Sequence, residues 1–236
     1  WDFHSYPGVR SDSDLYTFGY GFKPWTGAPD AGAALIKDYL REHIDENGFE
    51  DRIRYGQEVV AARWSSSDQR WYVDVRDTGT DEQRTVSCSI LDMCQGYYDY
   101  DTPNVPEWPG MAEFAGDIVH PMRWDPSYET AGKRIVVIGS GATAATMVPA
   151  LAEHAAHVTM LQRTPTWFYV ASNRMPVADA LRALGLPNLW VHRATRRLLL
   201  FLERRVQAKA LQTPDKARDF LLKRLRKELP DDQVSK

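Results

Sequence analysis

The stretch GSGATAA, Gly139 to Ala145, sets two glycines two apart and a small residue three further on. That spacing suits a pyrophosphate. Gly139 permits a tight turn, Gly141 lets the backbone approach the phosphates, and Ala144 allows close packing of a helix on a strand. Ser140, Ala142, Thr143 and Ala145 fill the turn and open the helix, whose free N–H groups and positive dipole end face the anion. Further on comes QRT, Gln162 to Thr164. An Asp or Glu at this place would hold a ribose 2′-hydroxyl and repel a 2′-phosphate, whereas a guanidinium grips the phosphate in a bidentate pair. Arg163, with Thr164 as a hydroxyl donor, therefore points to NADPH over NADH; the alternative is a solvated surface arginine. Ahead of both lies FAGDIVHPMRW, with Phe114, Gly116, His120 and Trp124 at fixed intervals. Taken alone, a histidine beside a proline reads as structural.

These residues need elements to hold them. RIVVIGSG reads as an almost wholly apolar strand entering the turn, ATAATMVPALAEHA as a helix, and HVTMLQR as the next buried strand. Together they make a parallel βαβ unit of about 30 residues. Upstream, residues 1–29 are rich in Gly and Pro and read as irregular. Asp30 reads as the N-cap of a helix whose apolar face is Leu35, Ile36, Tyr39, Leu40 and Ile44, stopped by Gly48. EVVAARW, RWYVDVR and TVSCSILDMC then predict an antiparallel meander. CQGYY and DTPNVPEWPG look like a turn and a linker, and from residue 176 the pattern is helical to the end.

Composition narrows the partners. Hydrophobic residues make up 43%, charged residues 26%, and the net charge is −3, which is ordinary for a globular protein and favours neither nucleic acid nor an acidic membrane as a whole-chain partner. Cys88 and Cys94 cannot make a disulfide framework, so a reducing cytoplasm is expected. No apolar run is long enough to predict a spanning helix. Residues 189–227 are rich in Arg and Lys and contain LLLFL at 198–202. The expectation is a buried helical face with its charges solvated; a basic amphipathic helix on a membrane surface is the alternative.

F-x-G-x-x-x-H-x-x-x-W ahead of a glycine-rich turn resembles the fingerprint of type I Baeyer–Villiger monooxygenases, within the class B flavoprotein monooxygenases. YPGVRSDSDLYTFGYGFKPW and the run from Ile135 to Thr166 are most similar to the branch of the ethionamide-activating monooxygenases. The resemblance implies an α/β, Rossmann-like flavoprotein with two dinucleotide-binding domains. It divides the chain into part of an FAD domain (1–110), a fingerprint linker (111–131) and part of an NADPH domain with a helical insertion (132–236). It implies FAD and NADPH as cofactors, O₂ and a small ketone or sulfur compound as substrates, and a C4a-peroxyflavin as oxygen donor. By the same resemblance Trp1 matches a flavin-segment Trp, Asp12 an acid beside flavin and nicotinamide, and Arg10 and Ser11 share its loop. Val59 falls where a strand meets the FAD adenine, and His120 is a hydrogen-bonding control point in the hinge. Gln95 departs from the small Ser or Thr usual in that turn. The ends read as cuts through a longer protein: a first glycine motif is expected before Trp1 and an active-site arginine after Lys236. The 236 residues are therefore expected to be inactive alone. The rival readings are an N- or S-monooxygenase that makes no ester, and a non-catalytic nucleotide-binding fragment.

Overall fold

The computed structural model describes residues 1–96, 98–164 and 172–229. The chain divides into two compact units, residues 1–39 with 117–236, and residues 40–116. The motif-based division at 110 and 131 is a functional reading of a different kind. Tyr97 of the CQGYY turn and the last seven residues of the tail lie outside the described residues.

In the first unit, residues 1–32 are irregular apart from a single helical turn, α1 (Leu15–Phe18), which sequence reading missed. Its signal was local: Asp14 Oδ1 accepts the Thr17 N–H at 2.9 Å, as an N-cap does. The next helix, α2, runs Ala33–Asn47. Asp30 is not its N-cap. Residues 31–33 pair with 9–11 instead: the Ser11 N–H donates to the Ala31 carbonyl at 2.9 Å and the Ala33 N–H to that of Val9 at 3.1 Å. This bridge delays the helix until Gly32, whose carbonyl accepts the Ile36 N–H. Ile36 and Tyr39 are buried as expected, but Leu35 is exposed. Gly48 does end the helix, with φ +62° and the Phe49 N–H reaching back to the Ile44 carbonyl.

The same unit carries strand β4 (Arg134–Ile138), helix α3 (Ala142–Ala152) and strand β5 (His157–Leu161), the strands pairing in parallel from Arg134↔His157 to Ile138↔Leu161. Ala144, Thr146, Met147 and Leu151 bury the inner face of α3. The strands are not wholly buried, however. Both their faces are apolar, but Val136, Ile138 and Leu161 are exposed, and among the described residues α3 covers only the opposite face. Helices α4 (Pro176–Ala183), α5 (Asn188–Gln212) and α6 (Pro214–Glu228) follow.

The second unit holds the meander: β1 (Gln57–Ser65), β2 (Arg70–Asp77) and β3 (Gln83–Cys88), antiparallel in that order. The third strand ends at Cys88, six residues before the predicted end. Val73 and Val75 of β2 are the sheet's buried positions, two apart as one sheet face requires. Trp64 and Trp71 face each other across β1 and β2, ring centroids 5.6 Å apart.

Candidate functional site

The glycine turn stands at the carboxyl edge of the parallel pair. Gly139 has φ +125°, a conformation that residues with a side chain rarely adopt. Its N–H donates to the Leu161 carbonyl at 2.8 Å, extending the ladder one residue past β4. Gly141 then starts α3: its carbonyl accepts the Ala145 N–H at 3.0 Å, and no side chain caps the helix. A Cβ at Gly139 or Gly141 would meet nothing within 4 Å, so open space lies above both glycines. Ala144 is buried, in keeping with a small residue where helix meets strand. Ser140, Ala142, Thr143 and Ala145 lie along the same first turn. An uncapped helix start beneath open space can accept an anion.

Arg163 and Thr164 emerge two and three residues after Leu161, beside that turn. Both are exposed. Among the described residues Arg163 has no hydrogen-bond or ion-pair partner, so its guanidinium is available to an anion at the strand ends.

The loop from Trp1 to Asp14 is fixed at two places. The bridge to residues 31–33 holds Arg10 and Ser11, and Ser11 Oγ donates to the Ser13 carbonyl at 2.8 Å. Ser11 is buried, whereas Arg10 and Asp12 present their side chains to solvent. Gly8, at φ +76°, lies against α3: a Cβ there would be 2.4 Å from the Thr146 carbonyl oxygen. Trp1 is 43% exposed. Val59 belongs to the other unit, where β1 carries a bulge between Val59 and Ala61; Val59 and Val60 are exposed, like the rest of the strand's interior.

Each fingerprint residue has a distinct local task. The Phe114 ring folds over Gly116, where a Cβ would lie 2.7 Å from two ring carbons, so any larger residue there would have to displace the ring. His120 Nδ1 accepts the Met122 N–H at 3.2 Å and so caps the 3₁₀ turn Pro121–Arg123. The Trp124 carbonyl accepts Ser5 Oγ–H at 2.8 Å, and its ring meets Tyr128 edge-on. Tyr128 donates to Asp117 Oδ2 at 2.7 Å, and Lys133, 3.5 Å from the same carboxylate, sits 4.1 Å from the Tyr128 ring centre. The Tyr128 hydroxyl, and then the Lys133 charge, hold the Asp117 carboxyl below its usual pKa. The clamp ties the fingerprint segment to the approach of β4. Ser5, Gly8, Asp117, Tyr128 and Lys133 were not singled out from the sequence; only Gly8, in YPG, carried a turn signal. A cleft of about 480 Å³ between Ser5, Trp124, Tyr128, Ala150 and His154 opens on the C-terminal half of α3. Ala150 is about 12 Å along the helix from Ala142, so this cleft is separate from the glycine turn.

Residues 32–179 match the model of the family described as flavin-binding monooxygenase-like. The chain belongs to that family. Among relatives of this chain, the FAD-containing monooxygenase MymA of Mycobacterium tuberculosis is 42% identical over 97% of the chain and 47% of its own length. The FAD-containing monooxygenase EthA of Mycolicibacterium smegmatis is 41% identical over 98% of the chain and 47% of its own. The chain thus spans about half the length of the curated relatives it matches. Among solved structures, OTEMO in complex with FAD and NADP superposes with a TM-score of 0.56 at 30% identity, over 70% of this chain and 32% of that one. Cyclohexanone monooxygenase from Rhodococcus sp. Phi1 bound to NADP⁺ gives 0.59 at 25% identity, over 78% and 35%. The two-domain Rossmann-like class expected from the motifs is the class of these neighbours.

Proposed function

We propose that the chain supplies the NADPH-binding half, and part of the FAD-binding half, of a Baeyer–Villiger type monooxygenase acting on ketones and on sulfur compounds. One observation carries the coenzyme choice: the end of β5 presents an exposed Arg163, and no acid in Gln162–Thr164, beside an uncapped glycine turn. The residues fit the coenzyme. The first turn of α3 meets the pyrophosphate, and Arg163 with Thr164 meets the 2′-phosphate. Ser11 and Arg10 shape the loop that brings Asp12 and Trp1 to the flavin side, with Val59 at the adenine. When bound, NADPH and FAD together supply hydride and an activated oxygen atom from O₂. The protein must then hold the nicotinamide, let it move and keep water out. His120 serves that movement by fixing the turn in the linker, its Nδ1 accepting the Met122 N–H. A solved neighbour is named for a ketone, cyclohexanone, and the curated relatives for FAD, which supports the substrate and flavin readings.

The test is product analysis with labelled dioxygen. With NADPH and FAD, the full-length enzyme is expected to convert a cyclic ketone to a ring-expanded ester carrying one labelled oxygen, and a thioether to its sulfoxide. Sulfoxide without any ester would reduce the reading to S-oxygenation. Equal use of NADH would overturn the coenzyme assignment.

A further inference from the structure

Residues 173–196, which follow β5, reach back to the segment that follows Asp12. Asn173 Oδ1 accepts the Asp30 N–H at 2.8 Å. Arg182 of α4 donates to the Tyr16 hydroxyl at 2.9 Å. In α5, His192 stacks on the Tyr16 ring and its Nδ1 accepts the Trp25 N–H at 3.2 Å. Arg196, one turn on, donates to the carbonyls of Tyr16, Thr17 and Gly19 and so closes the end of α1. These contacts span 143 to 180 residues of sequence, and all lie inside one compact unit.

Tyr16 is where they meet. It is fully buried, as are Val191, His192 and Thr195 of α5, so the unit's own elements enclose it. Its hydroxyl donates to the Gly27 carbonyl at 3.2 Å while accepting from Arg182, and its own carbonyl accepts from Arg196. A satisfied polar set of this kind fixes one geometry, because each bond left unmade in the interior is costly. What it fixes is the stretch just upstream. Asp12 stands four residues before Tyr16. Between them Asp14 caps α1, and the Leu15 N–H donates to the Pro29 carbonyl at 2.9 Å. On the far side of Asp12, Gly8 rests on α3 with no room for a Cβ. The Asp12 loop is therefore gripped by α3 at Gly8 and by α4 and α5 at Tyr16. We infer, on the monooxygenase reading proposed above, that Tyr16 is a positioning residue: through it α4 and α5 set where Asp12 stands relative to the glycine-turn helix α3.

Tyr16→Phe in the full-length enzyme tests this, since it keeps the buried ring and removes only the hydroxyl that joins Arg182 to Gly27. Stopped-flow reduction of the flavin by NADPH gives the readout. The limiting rate should fall about tenfold, with half-saturation by NADPH within about twofold of the parent, because slight misplacement costs turnover before binding. Arg182→Met removes the same bond from its other end and should give the same loss, with no further loss in the double variant. In an Asp12→Asn background Tyr16→Phe should cost nothing more. A Tyr16→Phe rate equal to the parent's, or a full loss that persists in that background, overturns the inference. Amide exchange reads the clasp without turnover: the Ser11 and Leu15 N–H groups should exchange about tenfold faster in Tyr16→Phe, with α3 amides unaltered. A parent that NADPH does not reduce would sink the functional reading and with it the role of Asp12. Unaltered exchange at Leu15 in Tyr16→Phe would refute the clasp whatever the activity.

Discussion

The Gly139 N–H and the Leu161 carbonyl are joined by a 2.8 Å hydrogen bond that continues the β4–β5 ladder one residue past its last strand pair. It fixes the spacing between the glycine turn and the segment that bears Arg163. An anion held by the first turn of α3 and one held by Arg163 are thus read by a single rigid edge, the usual ligand position in open parallel sheets. Arg163→Ala should leave that edge intact and remove one charge-assisted contact, worth about 1.5–3 kcal/mol. NADP⁺ affinity should fall by about 10- to 150-fold, with NAD⁺ affinity almost unchanged. Calorimetric titration of both nucleotides checks it. Equal losses would mean that Arg163 supports the fold, and no loss that it is a surface charge only.

Gly139 and Gly141 should fail in different ways. At φ +125° an alanine strains the backbone, so Gly139→Ala should cost about 1–3 kcal/mol of stability in urea unfolding. Gly141 has φ −77° and open space around its Cβ position, so Gly141→Val should melt like the parent. Its side chain would fill the space through which the phosphates approach. NADP⁺ affinity should then drop by about tenfold or more, the equivalent of one lost charged hydrogen bond. A valine variant that unfolds early, or one that binds normally, contradicts this division of labour.

What the sequence revealed and what it hid divide along one line. The βαβ unit, the meander and the Gly48 stop depend on neighbours close in sequence, and each appeared where expected save that β3 ends early at Cys88. Asp30 misled because residues 31–33 pair with Val9–Ser11, a contact across some twenty residues that no local cap rule registers. Leu198, Phe201 and Leu202 of LLLFL are exposed among the described residues, because covering an apolar stripe depends on what packs there, not on the stripe. The fingerprint positions were legible as residue types only. That Phe114 roofs Gly116, or that Ser5 reaches Trp124 across 119 residues, follows from the folded path alone.

The fingerprint histidine should act on local order. His120 Nδ1 satisfies the Met122 N–H, an N-cap contact worth about 1 kcal/mol. In His120→Ala, amide exchange at Met122 and Trp124 should quicken, while amides of α3 and β4 keep their protection. His120→Asn, which retains a short acceptor, should restore much of the protection. In turnover assays of the full-length enzyme the same alanine change should waste NADPH as hydrogen peroxide without a matching loss of NADPH affinity. A large rise in the NADPH Michaelis constant with coupling intact would instead assign His120 to direct binding.

His192 should make the α5 contact sensitive to acid. Its ring is fully buried, and Nδ1 must be unprotonated to accept the Trp25 N–H. Burial depresses its pKa below the ordinary 6.5; Arg196 and Arg193 act in the same direction, while the Tyr20 main chain and Asp14 partly offset them. The unfolded chain therefore binds this proton more readily than the folded one. The contribution to stability is complete above the unfolded value and declines as pH falls below it towards the folded value. Unfolding free energy should accordingly decrease between pH about 7.5 and about 5, as followed by urea melts. His192→Gln keeps a side-chain acceptor for Trp25 but cannot titrate. It should cost about 0.5–3 kcal/mol at neutral pH, a typical penalty for a buried substitution, and flatten the acid slope. His4, whose pKa burial also lowers, leaves a residual slope that His4→Gln removes. An unchanged slope in His192→Gln would show that the acid response arises elsewhere in the chain.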